Sequence, residues 1–279
     1  EPNLSIPLSR SAADMVIDEK TQHALIYSLV GVPNGVLAMS YAMPGLVETS
    51  TNLASVKFAD SNYASAATVT LSNNAVWSQN DLMFAAGQGT HTQGGAYNAV
   101  PMVFKHALAW VNFTVTTTTP AVDNATNKGC TIQVNSITLN TAVFDGTLTL
   151  TNPQFNTTGA VATDNVVAKW TCAAPTSIKV PNADGKADAD AVVLDSDSDP
   201  KRFGKGLLVV PDGYAGSFTI NYTLTQEDGT ANIYDYTYNL PAGQWEMAKM
   251  YFYNINITLT EIEVTPSIKD WGETSTSTD

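Results

Sequence analysis

Tyr251-Phe252-Tyr253-Asn254-Ile255-Asn256-Ile257-Thr258-Leu259 alternates without a break. Tyr251, Tyr253, Ile255, Ile257 and Leu259 share one face, with Phe252, Asn254, Asn256 and Thr258 on the other. A period of two residues is that of a β-strand with one buried face. After Thr260-Glu261 the apolar phase changes, because Ile262, Val264 and Ile268 fall on even positions. A one-residue change of register turns every later side chain to the opposite face. Tyr251–Trp271 therefore reads as two strands, or as one strand broken by a bulge or hinge. The second piece need not share a sheet with the first, and a strand that detaches can pair with another subunit.

The same period runs outward through the chain. Phe218, Ile220, Tyr222 and Leu224 alternate, as do Tyr234, Tyr236, Tyr238 and Leu240, and Asp228-Gly229 lies between the two runs. Alternating runs around an Asp-Gly turn predict a hairpin. Phe113 and Val115 lead into a Thr-rich run ending at Pro120, and Thr131–Leu139 and Thr147–Leu150 flank the turn Asp145-Gly146. Leu207–Val210 is a short apolar run stopped by Pro211-Asp212-Gly213. Helical signals are sparse: Asp14–Leu29 fits a strand as well as a helical turn, and strand is the better reading of His106–Trp110. Abundant Thr suits strands with one solvated face. The pattern is all-β, with the short strands and turn signals of sandwiches. Asn, Pro, Thr and Gly cluster at Asn152–Gly159, which suggests a division into residues 1–155 and 156–279. Within the second part, Asn182–Pro200 is acidic and reads as a long exposed loop, and Gly272–Asp279 as a polar tail.

Composition narrows the function classes. The 279 residues carry 26 acidic and 13 basic side chains, a formal charge of −13. No basic stripe is available to neutralise phosphates, which argues against nucleic acid and against docking on anionic lipid. No run is long enough to span a bilayer as a helix. A start at Glu1 without Met is expected of a mature or trimmed form. The cysteines, Cys130 and Cys172, form no CxxC pair. Each is in phase with inward positions, Cys130 with Ile132 and Val134, and Cys172 with Val166 and Trp170. Two buried thiols and one disulfide are both open readings.

Candidate chemistry is thin. Asp195, Asp197 and Asp199 follow Asp184, Asp188 and Asp190. An EF-hand loop starting at Asp195 would require Gly and Glu where Pro200 and Gly206 stand. A solvated acidic loop is the simpler reading. His23, His91 and His106 form no HExxH or nucleophile arrangement, and His106 between Phe104 and Leu108 reads as a hydrogen-bonded core histidine. Glu is scarce and falls mainly in turns, at the termini and in the last strand region, which disfavours a carboxylate pair for glycoside hydrolysis. Gly87-Gln88-Gly89 and Gly94-Gly95 are not followed by a helix signal and read as a loop rather than a phosphate cradle. No catalytic residue, metal ligand or cofactor site is expected. Trp110 and Trp170 read as core, while the Tyr234/Tyr236/Tyr238 face is open to either packing or sugar binding.

Four segments converge on one family. They are Asp81-Leu82-Met83-Phe84-Ala85, Val103-Phe104-Lys105-His106-Ala107-Leu108-Ala109, Leu240-Pro241-Ala242-Gly243-Gln244-Trp245, and Lys249–Trp271, which closes Val264-Thr265-Pro266-Ser267-Ile268-Lys269-Asp270-Trp271. In these the chain resembles the Bacteroidales fimbrillins, subunits of type V pili, and their gut-commensal relatives. The first eighty residues match only loosely. The resemblance implies two transthyretin-like β-sandwich domains in tandem and export as a lipoprotein whose lipid-bearing cysteine precedes Glu1. It also implies assembly at the cell surface by proteolysis near the N-terminus, loss of the first strand, and filling of the opened groove by a neighbour's strand.

Residues suited to each step are present. Leu4, Ile6 and Leu8 alternate and are followed by Arg10-Ser11, a trypsin-like cleavage point. Pro2 and Pro7 are compatible with an edge strand. Ile262, Val264 and Ile268 could replace Leu4, Ile6 and Leu8 by β-augmentation. The partners so implied are other pilin subunits, a processing protease and host glycan or protein. A non-polymerising surface adhesin is the alternative reading.

Overall fold

A computed structural model describes residues 35–39, 47–51, 66–85, 103–120, 122, 129–151, 166–195, 200–211, 216–241, 243 and 245–271. Leu4, Ile6, Leu8, Arg10, His23, His91, Asp197, Asp199, the glycine loop at 87–95 and the tail from Gly272 lie outside them. The described residues form seventeen strands and no helix. In chain order these begin with β1 (Gly35–Met39), β2 (Val47–Thr51), β3 (Ala66–Leu71), β4 (Met83–Phe84), β5 (Lys105–His106) and β6 (Ala109–Thr116). There follow β7 (Thr131–Ala142), β8 (Gly146–Thr151), β9 (Val167–Cys172), β10 (Thr176–Lys179), β11 (Val192–Leu194) and β12 (Lys201–Arg202). The last are β13 (Leu207–Val209), β14 (Ser217–Thr225), β15 (Ala231–Asn239), β16 (Lys249–Ile257) and β17 (Ile262–Asp270).

Two five-stranded sheets dominate. One runs β12-β6-β16-β17 with β13 also on β6, and the other runs β10-β7-β14-β15 with β11 also on β7. Their inner faces meet through Phe113 of β6, Phe218 of β14 and Tyr253 of β16. The Phe113 and Phe218 rings meet edge-on at 5.0 Å between centroids, and Phe218 meets Tyr253 at 5.2 Å. Tyr238 of β15 approaches the same tyrosine at 6.4 Å. Aromatic contacts of this geometry each add about 0.5–1.5 kcal/mol to what their burial contributes. Val111, Val115, Ile132, Val134, Ile137, Leu139, Ile220, Ile255 and Ile257 fill the remainder of this core. A second cluster, with Leu71, Leu82, Leu108, Leu148 and Trp170, lies against the three-stranded sheet β3-β8-β9. Trp170 is buried there, and its Nε1–H donates to the Ala107 carbonyl at 2.9 Å.

The expected hairpin forms without slippage. β14 and β15 pair over nine positions, from Ser217↔Asn239 to Thr225↔Ala231. Gly229, at φ 83°, closes its turn by donating N–H to Gln226 O at 2.9 Å, and Asp228 Oδ1 accepts the Thr230 N–H. A left-handed backbone is what selects glycine here.

The structure bears on three of the sequence readings. Asn152–Gly159 lies outside the described residues but falls between β8 and β9, which are antiparallel neighbours. Both large sheets take strands from either side of it, since β7 pairs with β14 and β6 with β16. Hydrogen bonding therefore joins residues on either side of the 1–155/156–279 division. Asn182–Pro200 is not one exposed loop: Val192–Leu194 pairs with β7 and buries Leu194, because a three-residue apolar run is enough for an added edge strand. Cys130 and Cys172 are not joined in a disulfide, and both are half-buried. Cys130 directly precedes β7 of one large sheet, whereas Cys172 ends β9 of the three-stranded one.

The thiols and the core tyrosine can both be tested in solution. Denatured without reductant, the protein should titrate as two thiols, and a titre near zero would restore the disulfide reading. Burial pushes the Tyr253 phenol well above the ordinary tyrosine range, although the Trp245 Nε1–H donated to its oxygen at 3.2 Å works the other way. The fold thus favours the neutral phenol. That contribution is complete below the pKa of an unfolded tyrosine, about 10, and is lost as pH climbs from there towards the folded value. Urea midpoints should fall above about pH 10, and Tyr253→Phe should flatten the decline while costing about 1 kcal/mol at neutral pH through the lost hydrogen bond.

Candidate functional site

The change of phase after Leu259 is the register of a hairpin. β16 and β17 pair antiparallel over nine positions, from Ile257↔Ile262 to Lys249↔Asp270. The connecting residues Thr258–Glu261 are even in number, so odd positions of β16 face even positions of β17. Ile262 therefore lies beside Ile257, Val264 beside Ile255 and Ile268 beside Tyr251, all on the core side. Of the two readings, two strands or one strand with a bulge or hinge, the structure has two strands joined by this tight connection, and β17 joins the same sheet as β16. Within the connection Thr258 N–H donates to Glu261 O at 2.9 Å, and Thr258 Oγ1 accepts the Glu261 N–H at 3.0 Å.

The two strands are held very differently. β16 lies between β6, to which it is parallel, and β17. Its Tyr251, Tyr253, Ile255 and Ile257 are all at most 1% exposed. Burying such side chains contributes about 1.5–3 kcal/mol each. Among the described residues β17 is an edge strand, with β16 as its one partner in the sheet. Ile262 and Val264 are half-buried against the core, whereas Ile268 is 55% exposed and the remaining side chains of β17 are exposed. Pro266, opposite Tyr253, is tolerated because an edge strand need not offer every N–H. At the far end of the hairpin Lys249 pairs with Asp270, which raises the lysine pKa. Partial exposure makes the pair a weak restraint.

Beyond Asp270 the chain is fixed by a cluster that the sequence did not advertise. His106 is buried, as expected, and its Nδ1 lies 2.8 Å from Oδ2 of buried Asp81. Trp271 stacks on the imidazole at 3.6 Å and 5° between planes, and Trp110 flanks it at 5.6 Å. Trp110 is only half-buried, with the Arg202 guanidinium over its ring, so it is less of a core residue than expected. Asp81 Oδ1 is buried without a hydrogen-bond partner among the described residues. Nothing in the local pattern around Asp81 marks it as a partner for a residue 25 positions away. The signal was its place in one of the four family segments.

Other expected features are more ordinary. Tyr238 and Tyr236 pack against the core, and the tyrosine row opens only at Tyr234, which stacks on Tyr222 at 5.5 Å. Asp188 pairs with Lys179 and accepts the Trp77 indole N–H at 3.1 Å, while Asp184 pairs with Lys186. Among the described residues no group of three or more His, Cys, Asp or Glu side chains is placed to hold a metal ion. No helix among them is long and apolar enough to cross a membrane. Leu4, Ile6, Leu8 and Arg10 lie outside the described residues, so their place relative to Ile262, Val264 and Ile268 rests on sequence.

The chain is similar to several known proteins. A fimbrial protein from Bacteroides vulgatus is similar at 15% identity and a TM-score of 0.41, over 61% of this chain and 56% of that one. The chain thus spans a little over half the length of that relative. A candidate cell adhesion protein from Bacteroides uniformis aligns at 17% identity and a TM-score of 0.38, over 75% and 67% of the two chains. One from Bacteroides eggerthii aligns at 17% identity and 0.35, over 73% and 69%. No curated protein matches significantly. A family model described as fimbrillin-like matches residues 48–271, from β2 through β17 to Trp271, and the chain belongs to that fimbrillin-like family.

Proposed function

We propose that this chain is a structural subunit of a cell-surface fimbria, that it polymerises by exchange of strands between subunits, and that the fibre serves adhesion. The observation that carries the reading is the contrast between β16 and β17. A strand meant to leave must cost little to remove and must still carry a usable apolar face. β17 has both properties, with one neighbouring strand among the described residues and three apolar residues, Ile262, Val264 and Ile268, on its inner side. In this scheme a protease cuts after Arg10, the strand bearing Leu4, Ile6 and Leu8 departs, and Ile262, Val264 and Ile268 of another subunit take its place. Backbone hydrogen bonds would supply affinity and the alternating side chains register. A lipid anchor upstream of Glu1 would hold the unprocessed subunit at the outer membrane. The fimbrillin-like family supports assembly with like subunits rather than catalysis.

A surface adhesin that does not polymerise is the second reading. The observation in its favour is the solvent-facing end of the tyrosine hairpin, where Ile233 is 69% and Tyr234 43% exposed. A glycan-array hit abolished by Tyr234→Ala would favour it.

Mild trypsin should convert the intact chain into ladders of heat-resistant oligomers on denaturing gels, and Arg10→Ala should abolish them. Persistence of the ladder in Arg10→Ala would remove that residue from the scheme. A chain ending at Thr260 should remain folded and still accept a strand but have none to give. Mixed with full-length protein, it should shorten the ladder. Ladders from the truncated chain alone, equal to those of the full chain, would eliminate β17 as the donor.

A further inference from the structure

β17 is thinly held along its length and closely held at its end. From Thr265 to Asp270 every side chain is exposed. The next residue, Trp271, is half-buried in the second cluster and lies flat on His106. We infer that Trp271 is the clasp of the C-terminal strand and that the buried Asp81–His106 pair is its seat.

Three contacts build the seat. The Asp81 carboxylate, 2.8 Å from His106 Nδ1, fixes the plane of the imidazole on which the indole lies. Trp110 closes one side, its ring tilted 33° to that of Trp271. The backbone completes the clasp, for Trp271 N–H donates to Ala248 O at 2.8 Å, and Ala248 N–H donates to Leu108 O at 3.1 Å. Ala248 adopts φ 57°, a left-handed conformation that a residue with a Cβ rarely takes. Such a conformation persists where the surroundings hold it from both sides.

The arrangement ties β17 to an element outside its own sheet. His106 belongs to β5, which pairs with β4 next to Asp81 and takes no part in the sheet of β16 and β17. Parting β17 from β16 therefore requires a second event, withdrawal of the indole from the imidazole. Fraying from the Thr258–Glu261 end leaves the strand tethered at Trp271. Fraying from the Trp271 end frees a segment with no buried side chain to retain it. The clasp is thus the step that gates opening of the edge. The inference concerns the single chain, and only its consequence for assembly rests on the strand-exchange reading.

Amide hydrogen exchange on the folded, unprocessed protein tests it. Trp271→Ala should accelerate exchange across residues 262–270 on the order of tenfold, the scale set by removing an aromatic stacking partner and its burial. Exchange in β14 and β15 should be unchanged. Trp271→Phe, which keeps a smaller stacking ring, should fall between Trp271→Ala and the parent. His106→Gln, which removes the imidazole but retains a polar group for Asp81, should reproduce Trp271→Ala if it folds. Unchanged exchange in β17 of Trp271→Ala would overturn the inference, as would equal acceleration in β14 and β15. Assembly measured in parallel separates the two claims. Faster exchange with unaltered ladders leaves the clasp standing and removes β17 as the donated strand, whereas altered ladders with unaltered exchange remove the clasp.

Discussion

Tyr253 touches both large sheets, and the sandwich depends on that junction. Its ring lies against Phe113 of its own sheet and against Phe218 and Tyr238 of the other. Its hydroxyl accepts the indole N–H of Trp245, so the one polar atom that it carries into the core is paired. Two residues earlier the Tyr251 hydroxyl accepts the Glu246 N–H at 2.9 Å. Both tyrosines thereby bring the segment just before β16 back onto the strand. The consequence is a fixed β16: its inner face is closed by aromatics, one edge is paired to β6, and its entry is tied down by two phenols. All that lies beyond Ile257 hangs from a strand that cannot move without opening the core.

That asymmetry gives β17 its character. A sheet edge is a liability because its unpaired N–H and C=O groups invite another chain. Burying a final strand deeply would remove the liability together with any freedom to leave. Here the final strand shields the buried β16 while contributing little apolar burial itself. Ile262 and Val264 sit near the tight connection, and past them the strand is solvated until Trp271. The hold is therefore concentrated at the two ends of β17, with a long stretch between that is retained chiefly by backbone hydrogen bonds.

Much of this was legible in the sequence, for a definite reason. Period two is a local signal, and it identified β14, β15 and β16 as strands and the buried face of β16, because one face of that strand packs on the core. The change of phase at Thr260-Glu261 was visible too. Its meaning was not, because a hairpin of even loop length and a bulge both exchange odd for even positions, and only the pairing of Ile257 with Ile262 decides between them. Long-range pairing was the general blind spot. Nothing near Phe113 announces that β6 lies parallel to β16, far along the chain, and that pairing joins residues on either side of the division expected near residue 155. The Asp81–His106–Trp271 cluster was hidden for the same reason, since its members come from separate stretches of chain. A core histidine was foreseeable from the apolar neighbours of His106, but its partners were not.

If β17 is exchanged between subunits, as proposed above, it faces conflicting demands. It must pair readily with the right acceptor and poorly with chance neighbours in a crowded fibre. The outward residues of β17 meet the second demand. Glu263 and Lys269 are exposed charges on that face, and Pro266, on the other, withholds one N–H from the strand, devices that discourage indiscriminate pairing. A net charge of −13 adds repulsion between whole subunits. The first demand falls on the inner face, where Ile262, Val264 and Ile268 keep an alternating pattern that a groove can read. Selectivity then comes from geometry more than from strength. A groove that presents pockets at alternate positions accepts this strand in one register, because a slip of one residue would bring Glu263 and Thr265 to face the pockets instead. The phase set by Thr258–Glu261 is thus the feature on which the resting hairpin depends, and on which the proposed exchange would depend as well.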